Sequence, residues 1–369
     1  MRIAEIAVSH HRIDLDPPFP AAWDPVPRTS FTATIVRVRS DDGLEGIGSG
    51  DAMAGFSGHE HLFIGQDPRA LARHARIIDN LSFHFGRCWP LDLALWDLVG
   101  KSLGQPVWRL LGGSSDRVPC YASTGTLREP AALAETAKAL AERGFAAMKI
   151  RFHEPDWRRE IGKVEAVRAA IGERMALMVD ANQGWRMPWD SSPSWTLKDA
   201  LACARALEPL GVHWLEEPLH RGDVEGMRRL RDLTPIRIAG GEMAREMHDL
   251  WRFVETGCLD ILQPDATLVG GITLLAELAR AARARGVRFT PHTWGNGIGQ
   301  LANAQLVAGL GDPIWLEFPY DPPSWALEHR DFMLAAPLDV DAQGCMRLGE
   351  APGLGIVLDE ARLAATRIG

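Results

Sequence analysis

The chain has 369 residues, 46% hydrophobic and 24% charged, with a formal net charge of −8. That length exceeds one small core and suits a large barrel with an attached domain. An acidic balance with scattered Lys and Arg excludes a nucleic-acid partner, and no apolar run is long enough to span a membrane.

In chain order, RIAEIAV predicts a short strand, followed by a proline-rich loop through Pro17, Pro18, Pro20, Pro25 and Pro27. FTATIVRVRS and LEGIGSG alternate like the arms of a hairpin, with DDG as the turn. Residues 51–66 form a Gly-rich loop and residues 67–111 are helical. The leucines of PLDLALWDLVGKSLG recur at helical spacing, and Gly104 and Pro106 end that run. This is an α+β domain over residues 1–115, closed by the composition shift at LLGGSSDRVP. Residues 116–317 then alternate strand and helix. The strand candidates are VPCYAST, AAMKIR, ALMVDA, VHWLEE, IRIAGG, LDILQPD, VRFTPH and PIWLEF. Alternation of this density gives a parallel sheet, and eight units give a closed barrel. Residues 318–369 are rich in Pro and Gly and are expected to return to the first domain and complete it. The first residues, MRIAEIAVSHHRID, are no signal peptide, and five widely spaced cysteines form no pairing pattern. A reducing cytoplasm is the expected location.

Three successive strand candidates end on an acid: Asp180, then Glu216 with Glu217, then Glu242. One such acid is most simply a helix cap. Three on consecutive strands meet on one face of a parallel barrel, where they repel unless a cation joins them. All-oxygen ligands favour a hard ion, Mg²⁺ ahead of Mn²⁺ or Ca²⁺. The other strand ends supply Lys149 and Arg151, two apart and so on one face, Asn182, Asp265, His292 and Glu317.

The ordered set Lys-x-Arg, VDANQ, WLEEP, GGE, PDATLVGG, PHTWGNG and WLEFP resembles the mandelate racemase subgroup of the enolase superfamily. The resemblance covers nearly the whole chain, from ALWDLVGKSLGQPVWRLLGG to PGLGI near the end. It implies an α/β fold: a modified (β/α)₇β barrel with an α+β capping domain built from the N-terminal region and the C-terminal segment. It also implies abstraction of the proton beside a substrate carboxylate, with the enediolate held on Mg²⁺. A carbon acid beside an ionised carboxylate is very weak, and a divalent ion stabilises the second charge as it forms. Asp180, Glu216 and Glu242 match the family's ligand positions. The first acid of the EE pair is the family's ligand, and alternation puts Trp214 and Glu216 on one face. His292 with Asp265 resembles the family's dyad, in which a carboxylate orients the imidazole base. Glu317 matches the residue that donates a hydrogen bond to the substrate carboxylate, which requires a protonated or shared-proton state. Lys149 matches the lysine beside that carboxylate, and Asn182 a further substrate contact.

Arg151 departs from the pattern. Racemases of the subgroup carry Lys there as the base on the opposite face, whereas arginine is effectively always protonated. It remains a good fork for a carboxylate or hydroxyl. One-base elimination of water is therefore preferred to two-base racemisation. The alternatives are a racemase or epimerase and a barrel that has lost catalysis. Joint retention of the metal, dyad and Glu317 positions argues against the last. Muconate-lactonising and dipeptide-epimerase chemistry is disfavoured, because those relatives carry Lys where this chain has Asp265. The partners expected are a small carboxylate and further copies in a symmetric homo-oligomer. Specificity is assigned to residues 11–28 and 51–61, with His11, Trp23, Phe56, His59 and His61 as candidates.

Overall fold

A computed structural model describes residues 1–154, 156–311 and 315–368. An antiparallel sheet opens the chain: β1 (Ile3–Phe19), β2 (Arg28–Ser40) and β3 (Glu45–Gly50), with β2 between the other two. β1 is longer than the strand expected from RIAEIAV. It stays in register with β2 from Glu5 to Asp14, with one shift between Ile3 and Glu5 and a second slip before Phe19. Pro17 and Pro18 lie inside that slip, where the ladder requires no N–H. The hairpin at DDG forms as expected.

Three helices follow, α1 (Leu71–His84), α2 (Pro90–Leu103) and α3 (Val107–Leu110). α2 lies on β3 at a separation that only glycine permits. A Cβ on Gly46 would stand 2.1 Å from the Ala94 carbonyl oxygen, and one on Gly48 2.0 Å from that of Pro90. The alternate glycines of EGIGSG are the imprint of this helix on the strand. α2 also buries two acids that tie segments together. Asp97 accepts from the N–H groups of Ile47 and Leu354, both at 2.8 Å, and from the Lys101 amine at 2.7 Å. Asp92 accepts from the N–H groups of Ile272 and Thr273 at 2.7 and 3.1 Å, and from the Thr273 hydroxyl at 2.6 Å.

The second layer alternates β4 (Arg117–Ser123), α4 (Pro130–Glu142), β5 (Ala147–Arg151), α5 (Arg158–Ile171), β6 (Ala176–Asp180), α6 (Leu197–Leu207), β7 (Val212–Glu216) and α7 (Val224–Leu233). It continues with β8 (Arg237–Gly240), α8 (Met247–Thr256), β9 (Ile261–Leu262), α9 (Gly271–Ala284), β10 (Arg288–Phe289), α10 (Gly297–Leu310) and β11 (Leu316–Pro319). The strands pair in parallel in the order β10-β9-β8-β7-β6-β5-β4-β11. Each coincides with one of the eight candidates, although the Pro313 and Ile314 of PIWLEF lie outside the described residues. The sheet is curled like a barrel, but among the described residues no ladder joins β10 to β11. Side chains hold this seam instead. The Thr293 N–H donates to Glu317 Oε2 at 2.9 Å, and the Thr293 hydroxyl and the Gln300 amide donate to the Glu317 carbonyl at 2.7 and 2.8 Å. Tyr121, Ala147, Met178, Trp214, Ala239 and Ile261 fill the interior.

α11 (Leu327–Arg330), β12 (Cys345–Arg347), α12 (Glu360–Thr366) and β13 (Arg367–Ile368) complete the chain. This segment serves both layers, not the first alone: β13 pairs with β1, while β12 pairs antiparallel with β4. No helix among the described residues is long and apolar enough to cross a membrane.

Candidate active site

Parallel register decides which strand ends meet. Arg151 lies opposite Asp180, and Asp180 opposite Glu216, so three charged side chains stand in one row across β5, β6 and β7. β8 contributes Ala239 to that row. The chain then passes Gly241, at φ +109°, before Glu242 rejoins the acids. One carboxylate oxygen from each of Asp180, Glu216 and Glu242 lies within 4.8 Å of the others, and all three residues are buried. Glu216 is fixed by donors on its own layer, the Trp214 indole at 3.0 Å and the Gln263 amide at 2.9 Å. Trp214 and Glu216 thus share the inward face, as strand alternation requires. Glu217 turns away at φ +46°, and its oxygens come so near Gly184 that a Cβ there would stand 2.2 Å from Oε1. The Trp185 indole donates to Glu242 at 2.8 Å.

Lys149 is the hub of the charges. Its amine is 2.6 Å from Glu216 Oε1, 2.8 Å from Glu317 Oε1 and 3.6 Å from Asp180 Oδ2. Burial opposes its charge, but Glu216 and Glu317 outweigh burial and hold it well above its usual range. Glu317 moves the other way. Burial would raise it, yet Lys149, His292 and the Thr293 N–H bring it down to about 2. In this arrangement the carboxyl is ionised and pairs with the Lys149 ammonium.

Burial and the neighbouring Asp180 and Glu242 push Glu216 up to about 8, with Lys149 opposing. Even with Lys149 and Arg151 among them, these carboxylates cannot all ionise cheaply. An all-oxygen set with an unmet negative charge fits a hard divalent cation.

Arg151 is held through one nitrogen, and its Nε is buried with no partner among the described residues. Nη1 donates to Asp180 Oδ2 at 2.9 Å and to Asn182 Oδ1 at 3.2 Å. Its guanidinium carbon stands 4.9 Å from the Trp23 ring centroid and 6.0 Å from that of Trp294. Asn182 takes the left-handed conformation, φ +51°, which Asn tolerates better than most residues.

The dyad forms. His292 Nδ1 is 3.1 Å from Asp265 Oδ2, which leaves Nε2 as the nitrogen free for chemistry. Burial lowers the imidazole, but Glu242 and the Asp265 hydrogen bond raise it further, to about 9. Asp265 is itself clamped: Oδ1 accepts from the Thr267 N–H and hydroxyl, both at 2.8 Å, and from the Asn303 amide at 2.9 Å.

Lys149, Arg151, Asp180, Asn182, Glu216, Glu242, Asp265, His292 and Glu317 thus reach one largely buried cluster, whereas Glu217 turns away from it. The loop candidates divide. Trp23 reaches the site over Arg151, and Phe19 stacks on Trp294 with centroids 5.8 Å apart. His11 is buried against the Leu363 carbonyl at 2.9 Å, and Phe56 packs within the capping core. His59 and His61 stack on each other, 6.4 Å apart. Sequence reasoning missed Trp185, Gln263, Thr293 and Asn303. For Asn303 a signal was present: Gln300, Asn303 and Gln305 interrupt the otherwise apolar GIGQLANAQLVAGL, and all three are buried. Buried amides in an apolar helix must have partners.

Residues 3–112 match the family model described as mandelate racemase / muconate lactonizing enzyme, N-terminal domain, and residues 132–362 the model described as enolase C-terminal domain-like. The chain is similar to the D-galactarolactone cycloisomerase of Agrobacterium fabrum, 31% identical over 98% of both chains. It is also similar to the L-talarate/galactarate dehydratase of Salmonella typhimurium, 30% identical over 90% of this chain and 82% of that one. Among solved structures it resembles a racemase from Streptomyces coelicolor A3(2) with bound magnesium. The TM-score is 0.85 at 27% identity, covering 99% of this chain and 100% of that one.

Proposed function

The chain belongs to the mandelate racemase and muconate lactonizing enzyme family of the enolase superfamily, and on that premise we propose that it dehydrates a sugar acid or similar 2-hydroxy acid with Mg²⁺. The observation that carries this reading is the state of Arg151, pinned by Asp180 and Asn182 beneath Trp23. A guanidinium so held cannot serve as the second base that racemisation needs. Asp180, Glu216 and Glu242 would hold the ion, which stabilises the second negative charge that builds on the substrate carboxylate.

Lys149 and Glu317 position that carboxylate, while Arg151 and Asn182 meet it or a neighbouring hydroxyl. His292 Nε2 removes the proton from C2, with Asp265 fixing the ring and its tautomer. The same imidazolium returns the proton to the C3 hydroxyl as the C3–O bond breaks, so water leaves and the enol relaxes to a 2-keto-3-deoxy acid. Proton removal from the His292 side alone restricts turnover to 2R acids, as the resemblance implies.

Isomerisation is the second reading, favoured by the relatives named cycloisomerase and racemase. A panel of aldonic and aldaric acids with Mg²⁺, monitored for 2-keto products, tests the choice. Replacing His292 by Asn should abolish both turnover and exchange of the α-proton with deuterated water. If that variant still exchanged the α-proton of a 2S acid, a second base exists and the isomerase reading replaces the dehydratase. Light scattering should return a symmetric homo-oligomer; a monomer at working concentration would contradict that expectation.

A further inference from the structure

Beside the charged cluster the structure contains a cavity of about 910 Å³, walled by the loop after β1, the β5–α5 loop and the β6–α6 loop. It lies near the upper end of the roughly 300–1,000 Å³ typical of small-molecule sites, more room than a six-carbon acid needs. Five tryptophans line it: Trp23, Trp157, Trp185, Trp189 and Trp195. The chemistry reaches it directly. Asn182 lines the cavity while accepting from Arg151, and Trp185 lines it while donating to Glu242.

The walls are braced before any ligand arrives. Arg186 donates to the carbonyls of Asn182 and Ser192 at 2.7 and 3.1 Å, and to Gln183 Oε1 at 2.7 Å. The Trp189 indole crosses to the capping-domain loop and donates to the Trp23 carbonyl at 3.2 Å. The Trp195 indole N–H is buried and has no acceptor among the described residues. A buried donor without a partner is costly, and Trp195 is one of the residues that line the cavity.

We propose that this cavity binds a neutral sugar ring attached to the reacting acid, so that the preferred substrates are disaccharide acids rather than single sugar acids. The inference rests on the reading of the site as one that takes sugar acids. Three features select the ligand. Indole faces carry negative quadrupole charge, which attracts the positively polarised C–H edges of a sugar ring. Residues with amide, hydroxyl and carboxylate groups line the same cavity, and an apolar ring would leave such groups desolvated without partners. The lining also has five Asp or Glu against two Arg, which disfavours a second carboxylate on the remote part of the substrate.

The test reads binding without turnover. Calorimetry on the His292→Asn variant with Mg²⁺ compares lactobionate and maltobionate, each a sugar linked to gluconate, with gluconate alone. The expected dissociation constant is at least tenfold lower for a disaccharide acid. Trp189→Ala in the same background should erase that advantage, and Trp189→Phe, which keeps an aromatic face, should retain most of it. Trp189 is 52% exposed, so its truncation leaves the core intact. Equal affinities, no binding of either disaccharide acid, or an advantage that survives Trp189→Ala would each overturn the proposal. Because only binding is measured, an enzyme that failed to dehydrate any acid would leave a positive result standing. An enzyme that dehydrated gluconate without preferring lactobionate would refute this inference alone.

Discussion

Replacing Asp265 by Asn isolates the orienting role of that carboxylate, because the site dictates how the new amide must sit. Oδ1 is met by two N–H donors, from Thr267 and Asn303, and by the Thr267 hydroxyl, while Oδ2 faces only His292 Nδ1. The amide oxygen is therefore held at the Oδ1 position and the NH₂ is turned towards Nδ1. That forces Nδ1 to accept and places the imidazole hydrogen on Nε2, the tautomer that cannot take a proton. The hydroxyl can rotate to suit a flipped amide, but the two N–H groups cannot. Two buried unsatisfied donors cost roughly 2–6 kcal/mol, so the competent tautomer becomes ~30-fold to ~10⁴-fold rarer. Wrong-tautomer substitution in a Ser-His-Asp triad costs about 10⁴ in kcat, at the top of that range. Exchange of the α-proton in deuterated water, followed by proton NMR, should fall within these limits. The circular dichroism spectrum and melting temperature should stay near those of the parent. Nitrogen-15 NMR of the ring should report the changed tautomer. Exchange within threefold of the parent would refute the reasoning, since His292 would then not depend on Asp265 for its hydrogen.

Arg151→Ala should raise KM by ~10–100-fold, in keeping with the loss of a charge-assisted bond of about 1.5–3 kcal/mol, while exchange persists at saturating substrate. A loss of exchange equal to that of His292→Asn would make Arg151 part of the proton transfer. Chelation should abolish turnover and lower the melting temperature, because Mg²⁺ at a hundredfold excess over its dissociation constant adds about 2.7 kcal/mol to stability. Glu242→Gln should lose that Mg²⁺-dependent rise, and a rise unchanged from the parent would break the ligand assignment. Asp92 is pushed up by burial from 3.8 to about 6, against the donors at Ile272 and Thr273. Its contribution to stability is thus complete below pH 3.8 and is lost as pH climbs through about 6. Asp92→Asn, which stays neutral, should gain about 3 kcal/mol relative to the parent between acid and neutral pH in urea unfolding. A difference that stayed flat with pH would show that Asp92 titrates normally.

Much of this protein was legible in local pattern. Apolar runs that stop on Asp180, Glu216 and Glu242 mark strand ends, since a two-residue period fixes the face on which each side chain lies. That period also separated Glu216 from Glu217 through Trp214. The glycines of EGIGSG recorded a close neighbour, and the identity of Arg151 carried its protonation state with it.

Only the tertiary structure decided what depends on register, on close packing and on residues distant in sequence. The expected short first strand continues to Phe19, because pairing with β2 outlasts the local signal. Among the described residues the expected closed barrel has a seam between β10 and β11, which Thr293 and Gln300 bridge to Glu317. The C-terminal segment had one destination in sequence and finds two in space, β1 and β4. Of the loop residues that looked suited to specificity, Trp23 stands over Arg151 while His11 is buried against Leu363. Asn303 reaches Asp265 from a helix 38 residues further along the chain. Periodicity reports which face of its own element a side chain occupies. It carries no information about which other element packs there, and in this protein that pairing chooses the partners of the base, the acids and the arginine.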